Sequence, residues 1–170
     1  IALCDAGTGI GKTLAYLVAG VAVSHHLPGM GPIIISTSSI ALQQAVQKEY
    51  LPLLSEALLE AGMLWSPLEA VVRKGKAHYV CDRRLERRLK QVNLEQKNPQ
   101  AAASLLSLRE HLDLDEAERL SGYDRERVHV PPRCDCDRHQ CRYLCFLELC
   151  NSGRYLFQIC NHNLLLADTL

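Results

Sequence analysis

The sequence predicts an α/β fold, a parallel sheet flanked by helices and interrupted by a small helical, cysteine-rich segment. Three observations carry this. Short apolar runs at Ile1–Cys4, Ile33–Ile35 and Leu68–Val72 alternate with stretches of helical periodicity, the order of a βαβ chain. A glycine-rich loop, Ala6 to Thr13, stands between the first run and the first helical stretch. From Cys81 onward the chain turns charged and poor in bulky apolar residues, and Cys134, Cys136 and Cys141 then crowd together behind a Pro-Pro break.

Bulk composition sets the bounds. With 170 residues, 48% of them apolar, the chain can bury one ordinary core or two small ones. Lys plus Arg and Asp plus Glu balance at 19 each, so any argument for a polyanionic partner must rest on local clustering. No apolar run reaches the roughly 18 residues of a membrane span, and the loop starts too early to leave room for a signal peptide; the expectation is a soluble, cytoplasmic protein. In that compartment the eight cysteines are expected to bind metal or be buried rather than form disulfides. The start at Ile1, with the loop only a few residues further on, is expected of a fragment.

Taken in order, Ile1–Cys4 reads as a buried strand feeding the loop, and a helix follows from Lys12 to about His26. Pro28-Gly29-Met30-Gly31-Pro32 is turn chemistry, and Ile33-Ile34-Ile35 has the composition of a second buried strand. Ser39 is placed to cap a long amphipathic helix reaching about Gly62, with Pro52 set to kink or divide it. Leu68–Val72 reads as a third strand, and Arg73-Lys74-Gly75-Lys76 as a basic turn. Helices are expected at Asp82–Val92, Ala101–His111 and Arg142–Asn151, a β-like return at Tyr155–Cys160, and a last helical stretch at Asn163–Leu170.

The loop Ala6-Gly7-Thr8-Gly9-Ile10-Gly11-Lys12-Thr13 fits the pattern G-x-x-x-x-G-K-[ST] with Ala in the first place. The spacing follows from the chemistry. Glycines let backbone N–H groups curl around phosphates, and the next helix turns its positive end to the same anion. Lys12 then reaches the β and γ phosphates, and the Thr13 hydroxyl serves Mg2+. This predicts a P-loop site for Mg-ATP, although the loop itself does not distinguish ATP from GTP.

Cys134, Cys136 and Cys141 lie on one irregular loop whose thiolates can converge on a metal, with Cys81 as a fourth ligand. Cys145 and Cys150 compete for membership but fall on the Arg142–Asn151 helix. Cys4 and Cys160 sit in apolar runs as small buried residues. On chemistry alone such a set suits zinc somewhat better than an iron-sulfur cluster, with His129 and His139 as further candidate ligands.

Between Arg73 and Lys90 basic residues far outnumber acidic ones. Arg83, Arg84, Arg87 and Arg88 are expected on one helical face, able to follow a phosphate backbone or simply to be solvated. His78 and Tyr79 are equally suited to stacking on bases and to packing. Asn161-His162-Asn163 ends an apolar run where polar groups face a cleft or cap a helix.

The segments AGTGIGKT, STSSIALQQ, RKGKAHYVC, CDCDRHQC and FQICNHNLLLAD occur in the order seen in DinG-type helicases. Over nearly its whole length the chain resembles the XPD/DinG branch of superfamily 2. The resemblance implies residues 1–76 as the start of a RecA-like first lobe, 77–152 as a helical iron-sulfur insertion, and 153–170 as the return to the lobe. It implies a [4Fe-4S] cluster on Cys81, Cys134, Cys136 and Cys141, in place of the zinc that bare chemistry prefers. The Cys134–Cys136 spacing is tighter than the family pattern, which leaves open a set with Cys145 for Cys134. The resemblance also implies DNA contacts at Ser36, Thr37 and Ser38 and at Arg73, Lys74 and Lys76, with single-stranded or forked DNA as partner. The implied activity is ATP-driven 5′ to 3′ unwinding, for which the acidic Asp-Glu-Ala-His box and the second lobe are absent here, so that the fragment alone is expected to be inactive. A different class, a zinc-bearing nucleic-acid-binding module with a decayed nucleotide site, is the alternative, and an upstream exonuclease domain is left open.

Overall fold

The computed structural model describes residues 5, 7, 9–27, 29–95, 99–134, 136 and 141–161. The strand expected at Ile1–Cys4 and the helix expected at Asn163–Leu170 lie outside these residues. The chain divides into two compact units, one taking in residues up to Arg73 and from Cys150 onward, the other spanning Lys74–Leu149.

The first unit is built on a parallel sheet of β1 (Ile33–Ser36), β2 (Ala70–Arg73) and β3 (Phe157–Cys160), in the order β1-β3-β2. The register sets Ile33, Ile35 and Ser36 opposite Phe157, Ile159 and Cys160, and Ala70, Val72 and Arg73 opposite the same three residues. α1 (Lys12–His26), α2 (Ile40–Ala45) and α3 (Leu51–Glu60) supply the helical layer. Its core joins Leu17 and Val21 of α1 and Leu51 and Leu54 of α3 to Ile35, Phe157 and Ile159. α1 comes so close to the sheet that a Cβ on Gly20 would lie 2.9 Å from the Phe157 ring and 3.0 Å from Ile33 Cδ1.

Two sequence expectations are refined here. Ile33-Ile34-Ile35 is not buried throughout, because alternate side chains take opposite faces and Ile34 is 52% exposed while Ile35 is buried. The long helix does break before Pro52. Val46–Tyr50 forms a π turn in which the Leu51 N–H bonds the Val46 carbonyl, one residue further back than in an α-helix, and α3 restarts with Pro52 in its first turn. The wider turn accommodates a residue that has no N–H to give and whose ring crowds the preceding turn. Ser39 caps α2 as expected, its hydroxyl accepting from Leu42 N–H at 3.2 Å.

The second unit contains α4 (Asp82–Glu95), α5 (Pro99–Ser107), α6 (Gly122–Val128) and most of α7 (Arg142–Asn151). Despite its charge it has a core of its own: Leu85 and Leu89 on α4, Val92 beyond them, Leu105, Leu108, Leu114 and Val128 are all buried. Tyr79–Cys81 runs through it as a short extended segment. Val80 N–H donates to Leu112 O at 2.9 Å, Cys81 N–H to Val128 O at 2.8 Å, and Val130 N–H to Tyr79 O at 2.8 Å.

Candidate nucleotide loop and cysteine cluster

Sequence chemistry dictates the shape of the phosphate loop. Gly9 and Gly11 adopt φ of 78° and 79°, left-handed values that side chains resist, and Gly11 is the N-cap of α1. No side chain caps that helix and no acidic residue lies in its first turn, so its leading N–H groups and dipole face the loop. Lys12 Nζ donates back to the Gly7 carbonyl, carrying the ammonium across the loop. Thr13 is half-buried in the first helical turn and Ile10 is exposed, while Ala6 and Thr8 lie outside the described residues. The arrangement can bind an anion through backbone N–H groups and neutralise it with Lys12.

Along the carboxyl edge of the sheet, register places Ser36 and Arg73 on either side of Cys160. Just beyond, Thr37 N–H donates to Cys160 O at 3.0 Å, the Thr37 hydroxyl accepts from Ser39 N–H at 3.2 Å, and Gln43 Nε2 donates to Thr37 O at 3.0 Å. Ser38 is exposed there. The Ser36–Ser38 segment is thus fixed at the edge where ligands of open parallel sheets are bound. Of the Asn-His-Asn segment, only Asn161 lies among the described residues, half-buried.

Lys74 and Lys76 are differently placed. Lys74 Nζ binds Asp113, and Asp115 at 2.8 Å, and Asp115 also accepts from Arg125 at 2.5 Å and faces His78 Nδ1 at 3.0 Å. Burial alone would lower the Lys74 pKa, but hydrogen bonds and charges from the two aspartates raise it above its ordinary value. Burial would raise the Asp115 carboxyl; hydrogen bonds from Lys74, Arg125 and His78 instead hold it well below the usual carboxylate range. Lys74 is therefore charge-matched within its own unit, whereas Lys76 is exposed and donates only weakly to Pro132 O at 3.4 Å.

The expected single arginine face on α4 also divides. Arg84 donates to His129 O at 2.8 Å and Glu126 O at 3.1 Å, and Arg88 is buried against Asp124 at 2.7 Å, so both bind α4 to the α6 region. Arg83 and Arg87 remain exposed. Spacing alone left this hidden because the partners come from residues some 40 positions later in the sequence.

The cysteines come together through the extended segment and two helix starts. Cys81 immediately precedes α4, whose first bond runs from Leu85 N–H to Cys81 O at 2.8 Å, and Cys141 precedes α7, where Cys145 N–H donates to Cys141 O at 3.0 Å. Both are buried in one cluster with Tyr79, Val130 and Tyr143, and Cys136 packs against it. Cys134 and Cys136 share a hydrogen bond. That bond, then burial, then the charges of Cys134 and Cys81 push the Cys136 thiol up to about 12, against the pull of Arg83. Of the competitors, Cys145 is exposed and Cys150 is buried in the first unit, where Gln158 Nε2 donates to its carbonyl. His129 offers Nδ1 to the Arg125 carbonyl, and His139 lies outside the described residues. Among the described residues no group of three or more His, Cys, Asp or Glu is closed to metal-binding geometry. The donor set nonetheless suits a thiophilic metal: crowded thiols are costly to ionise together, and a cation on their sulfurs removes that cost.

A pair missed in the sequence ties the two helix starts together. Asp82 and Arg142, each directly after a cysteine, form a forked ion pair with Nε at 2.9 and 3.1 Å from the carboxylate oxygens. Arg142 also donates to Arg109 O and Leu108 O, each at 2.9 Å. The only clue in the sequence was the repeat of a charged residue after each of two cysteines.

A parallel, helix-flanked sheet with a glycine loop feeding a helix fits part of a RecA-like NTPase lobe. No protein-family model matches the chain. Over 81 residues, 48% of this chain, it is 33% identical to the ATP-dependent DNA helicase DinG of Escherichia coli strain K12, and it matches the DinG of Salmonella typhimurium strain LT2 to the same extent. Over 150 residues, 81% of this chain, it is 30% identical to the DinG of Photobacterium profundum. These similarities relate the chain at family level to DinG helicases. The chain spans 10% of the length of the first two relatives and 20% of the third. Among the described residues no helix is long and apolar enough to cross a membrane.

Proposed function

We propose that the chain is the nucleotide-binding part of an ATP-dependent 5′ to 3′ DNA helicase of DinG type that also holds a [4Fe-4S] cluster. The observation that carries this is the phosphate loop: left-handed Gly9 and Gly11, an uncapped helix start and Lys12 over the loop, in a chain related to DinG. In this reading backbone N–H groups of the loop and Lys12 hold the β and γ phosphates, and Thr13 ligates Mg2+. Water attacks the γ phosphorus, the bond to the β-phosphate oxygen breaks, and Lys12 stabilises the charge that shifts onto that oxygen. Ser36, Thr37 and Ser38 at the sheet edge contact the DNA backbone, with Arg73 and Lys76 adding charge. Lys74, matched by two aspartates, contributes little.

Cys81, Cys134, Cys136 and Cys141 would hold the cluster, which supplies electron-transfer or structural chemistry when bound. Cys81, Cys136 and Cys141 gather around Tyr79 and Tyr143, and although Cys134 and Cys145 are both exposed, the hydrogen bond between Cys134 and Cys136 supports Cys134 as the fourth member. The test is anaerobic purification followed by iron, sulfide and zinc analysis and an absorption spectrum. A broad band near ~400 nm with about four irons per chain is expected. Zinc in place of iron would favour a nucleic-acid-binding module, and neither metal would refute the cluster.

A further inference from the structure

The second unit carries an exposed, pre-assembled stack of aromatic and guanidinium groups that neither the phosphate loop nor the cysteine cluster uses. Tyr123, in the first turn of α6, is 56% exposed. The Arg127 guanidinium lies over its ring at 3.4 Å from the centroid and is fixed there by a 3.2 Å bond from Nη1 to Tyr123 O. Arg88 approaches the same ring at 5.1 Å from α4. Arg88 is itself held by Asp124, whose other oxygen accepts from Ser121, the residue capping α6. The ring is thus mounted beside a buried ion pair, and the exposed Arg127 guanidinium lies over it.

The surroundings are basic. Arg84 and Arg88 face α6, and exposed Arg87 lies on the adjoining flank of α4. Among the described residues neither Arg127 nor Arg87 has a carboxylate at ion-pair distance, and the nearby Glu86 is occupied by Arg109. A guanidinium already held over an aromatic ring loses little further freedom when a second planar group stacks on it, and unstacked nucleobases are such groups with phosphates attached.

We propose that the Tyr123–Arg127 stack is a nucleobase platform for single-stranded DNA, with Arg87 beside it on the phosphates. For its choice of DNA this rests on the helicase reading, and it adds a contact outside the residues that reading uses. Single strands fit because a duplex hides its base faces, and an acidic peptide would need charge but no planar stack.

The test is fluorescence anisotropy of the intact protein that carries this chain with a labelled oligothymidylate of roughly 15 nucleotides at low salt. Tyr123→Ala and Arg127→Lys are each expected to weaken binding at least ~5-fold, the loss expected for one stacked base. Arg127→Lys should leave the salt dependence unchanged because its charge remains, whereas Arg87→Ala should shallow the slope by about 0.7. Tyr123→Phe should bind like the parent. Melting curves establish that each variant is folded. Parent-like affinity in folded Tyr123→Ala and Arg127→Lys overturns the platform alone. Equal losses in Arg127→Lys and Arg127→Ala, with Tyr123→Ala unchanged, would mark a guanidinium hydrogen-bonding site in place of a stack and also overturn it. An intact parent protein that binds no oligonucleotide overturns the helicase reading together with this inference.

Discussion

Replacing Arg142 with Ala should destabilise the second unit and loosen the cysteine cluster, although Arg142 is no cysteine and no expected ligand. The side chain makes a forked pair with Asp82 and donates to two backbone carbonyls, at Leu108 and Arg109. Both partners of the ion pair keep 35% of their side-chain exposure, so the pair itself is worth only about 0.5–1 kcal/mol. Each carbonyl bond to a charged donor adds roughly 1 kcal/mol, and water recovers part of it once the side chain is gone. The sum is about 2 kcal/mol, or roughly 4–8 °C in Tm for a chain of this size. Arg142→Lys should recover the charge but not the fork, leaving about half the loss. Thermal denaturation followed by circular dichroism measures this, with Arg109→Ala as control because its pair with Glu86 is about half exposed on both sides. Arg142→Ala melting within about 1 °C of that control would refute the role of the pair in holding Cys81 beside Cys141.

Further outcomes follow from the same geometry. Gly20→Ala gains helix propensity but sets a Cβ 2.9 Å from the Phe157 ring, so a net loss of about 1 kcal/mol by urea denaturation is expected. Ser39→Ala removes the cap of α2 and should cost about 1 kcal/mol in the same assay. The Lys74–Asp115 network should give a stability plateau in pH. The folded Asp115 carboxyl is depressed, so its contribution is present above its unfolded value of 3.8 and lost as pH falls toward the folded one; Lys74 is raised, so its contribution is full below 10.5 and lost as pH rises past its folded value. Asp115→Asn should flatten the acid limb of Tm against pH, and an unchanged limb would exclude the network as its source.

Local patterns in the sequence were legible where local physics decides. Lys12–His26 and Arg142–Asn151 end where their periodicity ends, and the Ser39 cap and the break before Pro52 follow from what a hydroxyl can accept and a proline cannot donate. The glycines of the loop declared their left-handed backbone in the same way. What remained hidden depends on distant partners. The sequence leaves Arg84 and Arg88 on a face that follows a phosphate backbone or is solvated, because Glu126, His129 and Asp124 are far along the chain, and the pairing of Lys74 with Asp113 and Asp115 is hidden by equal distance. The charged stretch after Cys81 is too poor in bulky residues for a large core, and Leu85, Leu89, Leu105, Leu108 and Leu114 converge on a small one. In the cysteine region, Cys81 meets Cys141 through backbone pairing of Tyr79–Cys81 with Val128–Val130, which no spacing rule contains.

The most direct test of the helicase account is steady-state ATP hydrolysis by the intact protein that carries this chain, with and without single-stranded DNA, for the parent and Lys12→Ala. The account predicts turnover that rises with DNA and falls at least ~100-fold in the variant, since Lys12 stabilises the charge of the transferring phosphoryl group. Turnover that ignores both DNA and the loss of Lys12 would contradict it.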